Sequence, residues 1–299
     1  MASEVKSNLF TAFTWMVDRL RGRGISRIPL VMKAYNFLYK NLIPNWDLTR
    51  QLKVLNYRMF VDLKDAGDLV HILVSKGIYD PLMTKVLQDI IKPGMNVIDI
   101  GANIGYFTLI LADQVGSAGL VLAIEPEQRN FDLLERNVGL NGYLTRVQCI
   151  QVAISNENSV GTLFISDKYY GSHVLVNQSL DVTEGRLVRI KTVTLDHLFK
   201  EHIIHFVKVD VQGVELDVLE GMETLLNYED IILLFQFIPY ALIKCGRRPE
   251  DLLAKLVEHR FRLWDIDEKK KKVVPTDVET LLKKYPEDKR IFTNILGRR

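Results

Sequence analysis

The chain has 299 residues, 47% of them hydrophobic, with 39 Lys/Arg against 37 Asp/Glu, enough apolar material for one large core with appendages or at most two small domains. No window reaches the ~18 uninterrupted apolar residues of a membrane-spanning helix. The two cysteines, Cys149 and Cys245, come without a CxxC or Cys/His cluster, which argues against a disulfide framework and for a reducing, cytoplasmic setting.

The formal charge of +2 is unevenly spread. Residues 1–58 hold ten Lys/Arg and three Asp/Glu, +7, which leaves −5 for the rest, so a basic N-terminal module precedes a mildly acidic body. Helical patterns fill residues 3–42, where Leu9, Phe13, Met16 and Leu20 recur at helical spacing with Lys6, Asp18 and Arg19 elsewhere on the wheel. The early acidic residue and the lack of a small-residue cleavage site speak against a signal peptide. The basic helix is compatible with an anionic membrane surface, but a helical cover with its cations on the wet face is the simpler expectation. A nucleic-acid partner is not expected. Residues 51–63 alternate around Asn56 like a short hairpin.

From there apolar strand-like runs alternate with helical ones: Val97 to Ile100, Leu120 to Ile124, Val147 to Ala153, His205 to Val209 and Ile231 to Phe237. That rhythm means βαβ units and a mostly parallel sheet. Short alternating stretches at Gly161 to Ser166, His173 to Val176 and Leu187 to Val193 predict a β insertion between the third and fourth runs. Phe261 to Ile266 and Ile291 to Leu296 predict an antiparallel pair closing the sheet, with Lys269 to Lys272 as a solvated turn between them. The expected division is a basic helical extension with a hairpin over 1–65 and a Rossmann-like α/β domain over 66–299.

The sharpest local signal is VIDIGANIGYFTL. An apolar strand ends near Asp99, a tight turn uses Gly101 and Gly105, and a helix beginning near Ile104 offers free backbone N–H groups. Glu125, at the end of the next strand, stands where a Rossmann unit places the carboxylate that binds ribose hydroxyls. Read from Gly101, the G-x-G-x-x-G template of dinucleotide sites fails at Asn103 and Tyr106, so a pyrophosphate would lack its closely approaching backbone. S-adenosylmethionine carries no phosphate and does not need that cradle, which favours it as cofactor. No P-loop sequence occurs.

GIYDP (Gly77 to Pro81), KPGMNVIDIGANIGYFTL, AIEPEQRNFDLLERNVGLNG and VKVDVQGVELDVLEGM follow one another in an order that resembles the FkbM family of methyltransferases. The resemblance runs from about Gly77 to Phe237 and on to the final TNIL strand. It implies a class I methyltransferase fold and O-methylation of a sugar, glycan or other small-molecule hydroxyl. By position it implies that Asp99, Gly101, Asn103 and Gly105 line the methionine end, that Glu125 takes the ribose, and that Asn141 and Ala153 surround the adenine. Asp210 would face the reacting centre.

Two positions depart from the family pattern. Its Asp-Val-Glu-Gly reads here Asp210, Val211, Gln212, Gly213, and Gln236 stands where an acidic residue is often found. Gln212 donates and accepts hydrogen bonds but is neither a carboxylate base nor a charged metal ligand. Asp210 is the first candidate for proton removal, against a role as the cap of a helix starting near Val214; Glu215 reads as a first-turn charge. His173 is a second candidate base, against a surface or packing role. His202 and His205 fall on opposite faces of a strand and no metal site is expected. Asp80 either helps cover the cofactor or serves the helix entered at Pro81. The sequence therefore supports an S-adenosylmethionine-dependent O-methyltransferase, with a non-catalytic binder of the same cofactor as the alternative, and leaves homo-oligomerisation open.

Overall fold

The computed structural model describes residues 49–65, 68–166, 174–176, 185–199 and 203–299. The helical pattern of residues 3–42, with its membrane-facing reading, and His173 and His202 lie outside them. The chain divides into two compact units, one ending at Tyr79 and the other starting at Asp80.

In the first unit β1 (Thr49–Val54) and β2 (Tyr57–Asp62) pair antiparallel, from Thr49 opposite Asp62 to Val54 opposite Tyr57. Leu55 turns the chain at φ 54°. The alternation places Leu52, Val54, Tyr57, Met59 and Val61 on a buried face, as period 2 requires. Helix α1 (Asp68–Lys76) follows and buries Val70, Leu73 and Val74.

The second unit begins with α2 (Pro81–Ile90) and then builds β3 (Asn96–Ile100), α3 (Tyr106–Val115), β4 (Leu120–Ile124), α4 (Gln128–Leu140) and β5 (Val147–Ile150). After an insertion come β10 (Phe206–Val209), α6 (Glu215–Glu220), β11 (Ile232–Phe237), α7 (Pro239–Lys244), α8 (Pro249–Glu258), β12 (Arg262–Asp267), β13 (Lys272–Thr276), α9 (Val278–Lys284) and β14 (Thr293–Arg298). The sheet order is β13-β12-β14-β11-β10-β3-β4-β5. Strands β11, β10, β3, β4 and β5 are mutually parallel, and β14 is inserted antiparallel between β11 and β12. This is a Rossmann-like sheet whose strand order reverses between β3 and β10, the place where such sheets bind ligands.

The parallel strands are largely apolar because helices cover both faces; Val97, Ile98, Ile100, Val121, Leu122, Phe206, Val207, Leu233 and Phe235 are all buried. One expectation needed revision, and one strand, β13, was not expected. The run Val147 to Ala153 is broken after Ile150, and β6 (Ala153–Ile154) leaves the main sheet to pair with the insertion. There β7 (Ser159–Ser166), β8 (Val174–Val176) and β9 (Gly185–Val193) complete a separate sheet of order β6-β9-β7-β8, and α5 (Leu195–Leu198) leads back. The lysine run is a hairpin turn, with Asp267 opposite Lys272 and Lys271 at φ 53°. It leads into the edge strand β13, which carries Pro275 opposite Trp264; lysines and proline suit an edge that must not recruit another chain.

The close approach of β3 and β10 fixes one glycine. Gly101 has φ +75°, and a Cβ there would stand 1.9 Å from the carbonyl oxygen of Asp210. Gly101→Ala should therefore cost at least about 2 kcal/mol of stability, from the left-handed backbone and the backbone collision together. Urea denaturation checks it, and a cost below about 0.5 kcal/mol would mean that the two strand ends separate freely.

Candidate active site

The centre of the site is one exception to the apolar strands. Lys208 on β10 is the register partner of Asp99 on β3, and both are sealed from water, with side-chain exposures of 1% and 0%. Lys208 Nζ donates to Asp99 Oδ1 at 2.9 Å, and the Thr108 hydroxyl donates to Asp99 Oδ2 at 2.7 Å. Nζ also lies 3.9 Å from Asp210 Oδ2 and 5.2 Å from the centre of the Phe107 ring. Burial by itself would lower the Lys208 pKa, but the Asp99 and Asp210 carboxylates reverse this and hold it above its usual value. Sequence reading missed Lys208, because one cation inside an apolar run carries no motif.

The turn after β3 is tied to β4. Gly101 and Ala102 both donate N–H to the carbonyl of Ile124. Asn103, at φ 51°, donates its N–H to Glu125 Oε2 at 2.9 Å, and its side-chain oxygen accepts from the N–H of Ile104. Gly105, at φ 92°, opens α3. Glu125 Oε1 accepts the N–H of Glu127 at 3.0 Å. Burial pushes the Glu125 carboxyl up to about 7, against the lowering effect of those backbone donors. Glu127 caps α4 through the N–H of Asn130, and its other oxygen stands 3.9 Å from Arg186 of the insertion. A buried Asn137 on α4 donates to the carbonyl of Ile104 and holds the turn from outside.

Asp99, Gly101, Asn103, Gly105 and Glu125 are thus brought together. Asn141 follows α4, one turn beyond the Asn137 that bonds the carbonyl of Ile104. Its side chain donates to the carbonyl of Asn137. Ala153 packs with Val214, Val211 and Cys245 beside the loop that follows β10.

In that loop the Asp210 N–H donates to the carbonyl of Ile100. The Asp210 side chain is 20% exposed, and burial raises its pKa, opposed by Lys208 and by the hydrogen bond from Gln212. The Asp210 carboxylate meets Gln212 and Lys208, and the N-cap position of α6 is taken by Val214. Glu215 stands in the first turn of α6 as expected, fully buried, and turns both oxygens back to the N–H of Gly213. Burial pushes it to about 7. Asp80, at φ 39°, precedes Pro81 without capping α2. It is raised to about 7, first by burial and then by Glu268 and Asp210, against a hydrogen bond with Asn294. His205 Nδ1 accepts the N–H of Asn96 at the start of β3, away from these groups.

These residues fit S-adenosylmethionine. Glu125 accepts the backbone N–H groups of Asn103 and Glu127 and a side-chain hydrogen bond from Asn130, and a carboxylate with about four acceptor sites can still take a ribose hydroxyl. Asp99, Glu125 and Asp210 outnumber the single ammonium of Lys208, a balance that favours a sulfonium cation and disfavours pyrophosphate.

Residues 99–263, from the β3 carboxylate to β12, match the model of the methyltransferase FkbM domain. The chain belongs to the FkbM methyltransferase family. Methyltransferase sdnD of Sordaria araneosa is 29% identical over 201 residues, which cover 54% of this chain and 76% of that protein. Methyltransferase 1 of Beauveria bassiana (strain ARSEF 2860) is 27% identical over 146 residues, 42% of this chain and 58% of that protein. Among solved structures, the FkbM methyltransferase of Methylobacillus flagellatus KT has 14% identity and a TM-score of 0.43, covering 68% of this chain and 43% of that one. A SAM-dependent O-methyltransferase of Thermotoga maritima has 13% identity and a TM-score of 0.40, covering 84% and 85%. The FkbM chain described here is a methyltransferase with the class I, Rossmann-like fold, and its family implies S-adenosylmethionine as methyl donor. No helix among the described residues is long and apolar enough to cross a membrane.

The buried ion pair makes a clear demand on this FkbM domain. Lys208→Met leaves the Asp99 carboxylate buried without its partner and should cost about 3–5 kcal/mol, whereas adding Asp99→Asn to it should restore most of the loss. Denaturation of the two variants measures this; equal losses in both would mean that Lys208 acts through packing alone.

Proposed function

We propose that the chain transfers the methyl group of S-adenosylmethionine to a hydroxyl of a small molecule or glycan, with Asp210 taking the proton. The observation that carries this reading is the contact between the Asp210 backbone and Gly101. It sets a partly exposed carboxylate against the cofactor turn, at the reversal of strand order. Burial raises the proton affinity of Asp210, which moves a carboxylate toward the range useful for a base near neutral pH.

When bound, the cofactor supplies an electrophilic methyl carbon on a cationic sulfonium. Glu125 accepts the ribose hydroxyls, and the backbone from Gly101 to Gly105 lies along the methionine end, over the Asp99–Lys208 pair. Ala153, packed with Val214 and Val211, offers an apolar surface for the adenine ring. As the acceptor oxygen forms its bond to carbon, Asp210 receives the hydroxyl proton, so no alkoxide has to exist free in the site.

Two measurements test the reading. Full-length protein with S-adenosylmethionine and a panel of sugars, glycosides and simple alcohols should release S-adenosylhomocysteine with at least one acceptor. Asp210→Asn should lower kcat by about 10²–10⁴-fold at nearly unchanged cofactor affinity. Binding without turnover of any hydroxyl acceptor would instead make the chain a non-catalytic binder. The cofactor site has its own pH signature. With Glu125 near 7 in the free protein, ribose hydroxyls donating to the ionised carboxylate should tighten binding as pH rises from 6 to 8, with proton release. Calorimetry of Glu125→Gln should show that rise flattened, and an unchanged pH slope would remove Glu125 from the site.

A further inference from the structure

Gln212 is built unlike a solvated loop residue. It sits at φ 61°, a left-handed conformation that a side-chain-bearing residue holds only when its surroundings fix it. Its Nε2 donates to Asp210 Oδ1 at 2.9 Å and to Gln236 Oε1 at 2.6 Å. Both hydrogens of the amide are thus used, and turning the amide over would set its oxygen against a carboxylate. Gln236 is itself buried, near the end of β11 and opposite Asn294 of β14, so the anchor belongs to the rigid sheet.

We infer that Gln212 is a positioning residue for the transfer reaction: clamped by Gln236, its amide holds Oδ1 of Asp210 and favours the ionised carboxylate, leaving Oδ2 to take the acceptor's proton. The inference rests on Asp210 as the base. A glutamate at position 212 would place a second carboxylate against Asp210, and like charges at that distance disfavour the ionised form. The other charged groups facing Asp210 are Lys208 on its own strand, Asp99 on β3, Asp80 before α2 and Glu215 on α6. Lys208 favours ionisation and the three carboxylates oppose it, so the Gln212 donor adds to the single cation present.

The test reads the Asp210 proton directly and needs no acceptor. In protein labelled with 13C at the aspartate carboxyl carbons, the Asp210 signal is the one missing from Asp210→Asn. Its titration midpoint is compared in the unsubstituted chain, in Gln212→Glu and in Gln212→Gly, a residue that tolerates the positive φ and so keeps the fold. Both variants should raise the midpoint by about one pH unit, with matching movement of the acidic limb of kcat/KM once an acceptor is known, and cofactor affinity within about twofold. Unchanged midpoints in both variants overturn the positioning role whatever Asp210 does. Raised midpoints together with full transfer by Asp210→Asn overturn the base reading, and with it the catalytic meaning of Gln212.

Discussion

The site depends on one buried ion pair. Lys208 and Asp99 face each other across neighbouring parallel strands with no exposure to water, and two charges in such a place cost several kcal/mol each unless geometry and hydrogen bonds return it. Here Thr108 from the first turns of α3 satisfies the second Asp99 oxygen, so the strand, the helix that follows it and the neighbouring strand are locked by one carboxylate. The glycine turn between β3 and α3 is stretched between these fixed points. Its shape is set from below by the ion pair and from the side by Ile124, Glu125 and Asn137.

That arrangement also decides the electrostatics above it. Because Lys208 is spent on Asp99, it stands off from Asp210 at 3.9 Å and does not quench it as a direct hydrogen-bonded pair would. Burial then raises Glu125, Glu215 and Asp80 to about 7. The edge of the sheet consequently gathers carboxylates that exchange protons near neutral pH, around one cation already committed. A cationic ligand is accommodated by ionising them, an option that an anionic ligand would not gain from.

Much of this was legible in the sequence, for reasons that also explain the rest. Strands such as Leu120–Ile124 and Phe206–Val209 were readable because covering both faces of a parallel sheet makes them largely apolar. Glu125 was readable because the βαβ unit fixes its distance from the glycine turn. Lys208 was not, since its meaning comes from a partner 109 positions away. Nor was the Gln212–Gln236 bridge, which joins two residues 24 apart only once β10 and β11 are neighbours. The break after Ile150 and the strand β13 escaped notice because tertiary pairing, not local pattern, decides where a short apolar run ends.

The two halves of the sheet edge are built by different means. On the glycine-turn side, the backbone of Gly101 to Gly105 and the Glu125 carboxylate come from one βαβ unit, which a sequence can encode locally. On the other side, β14 runs antiparallel between β11 and β12, so its first residues, Thr293 and Asn294, arrive at the edge where the parallel strands end. Asn294 bonds Asp80 there, and Thr293 joins Asp265, Lys284 and Tyr285 in a buried polar cluster that fixes β12, α9 and β14 together. This second half is assembled from segments some 200 residues apart, each contributing one polar group. Such an assembly leaves no local pattern in the sequence, whereas the glycine turn and Glu125 belong to one βαβ unit and are written into a continuous stretch of chain.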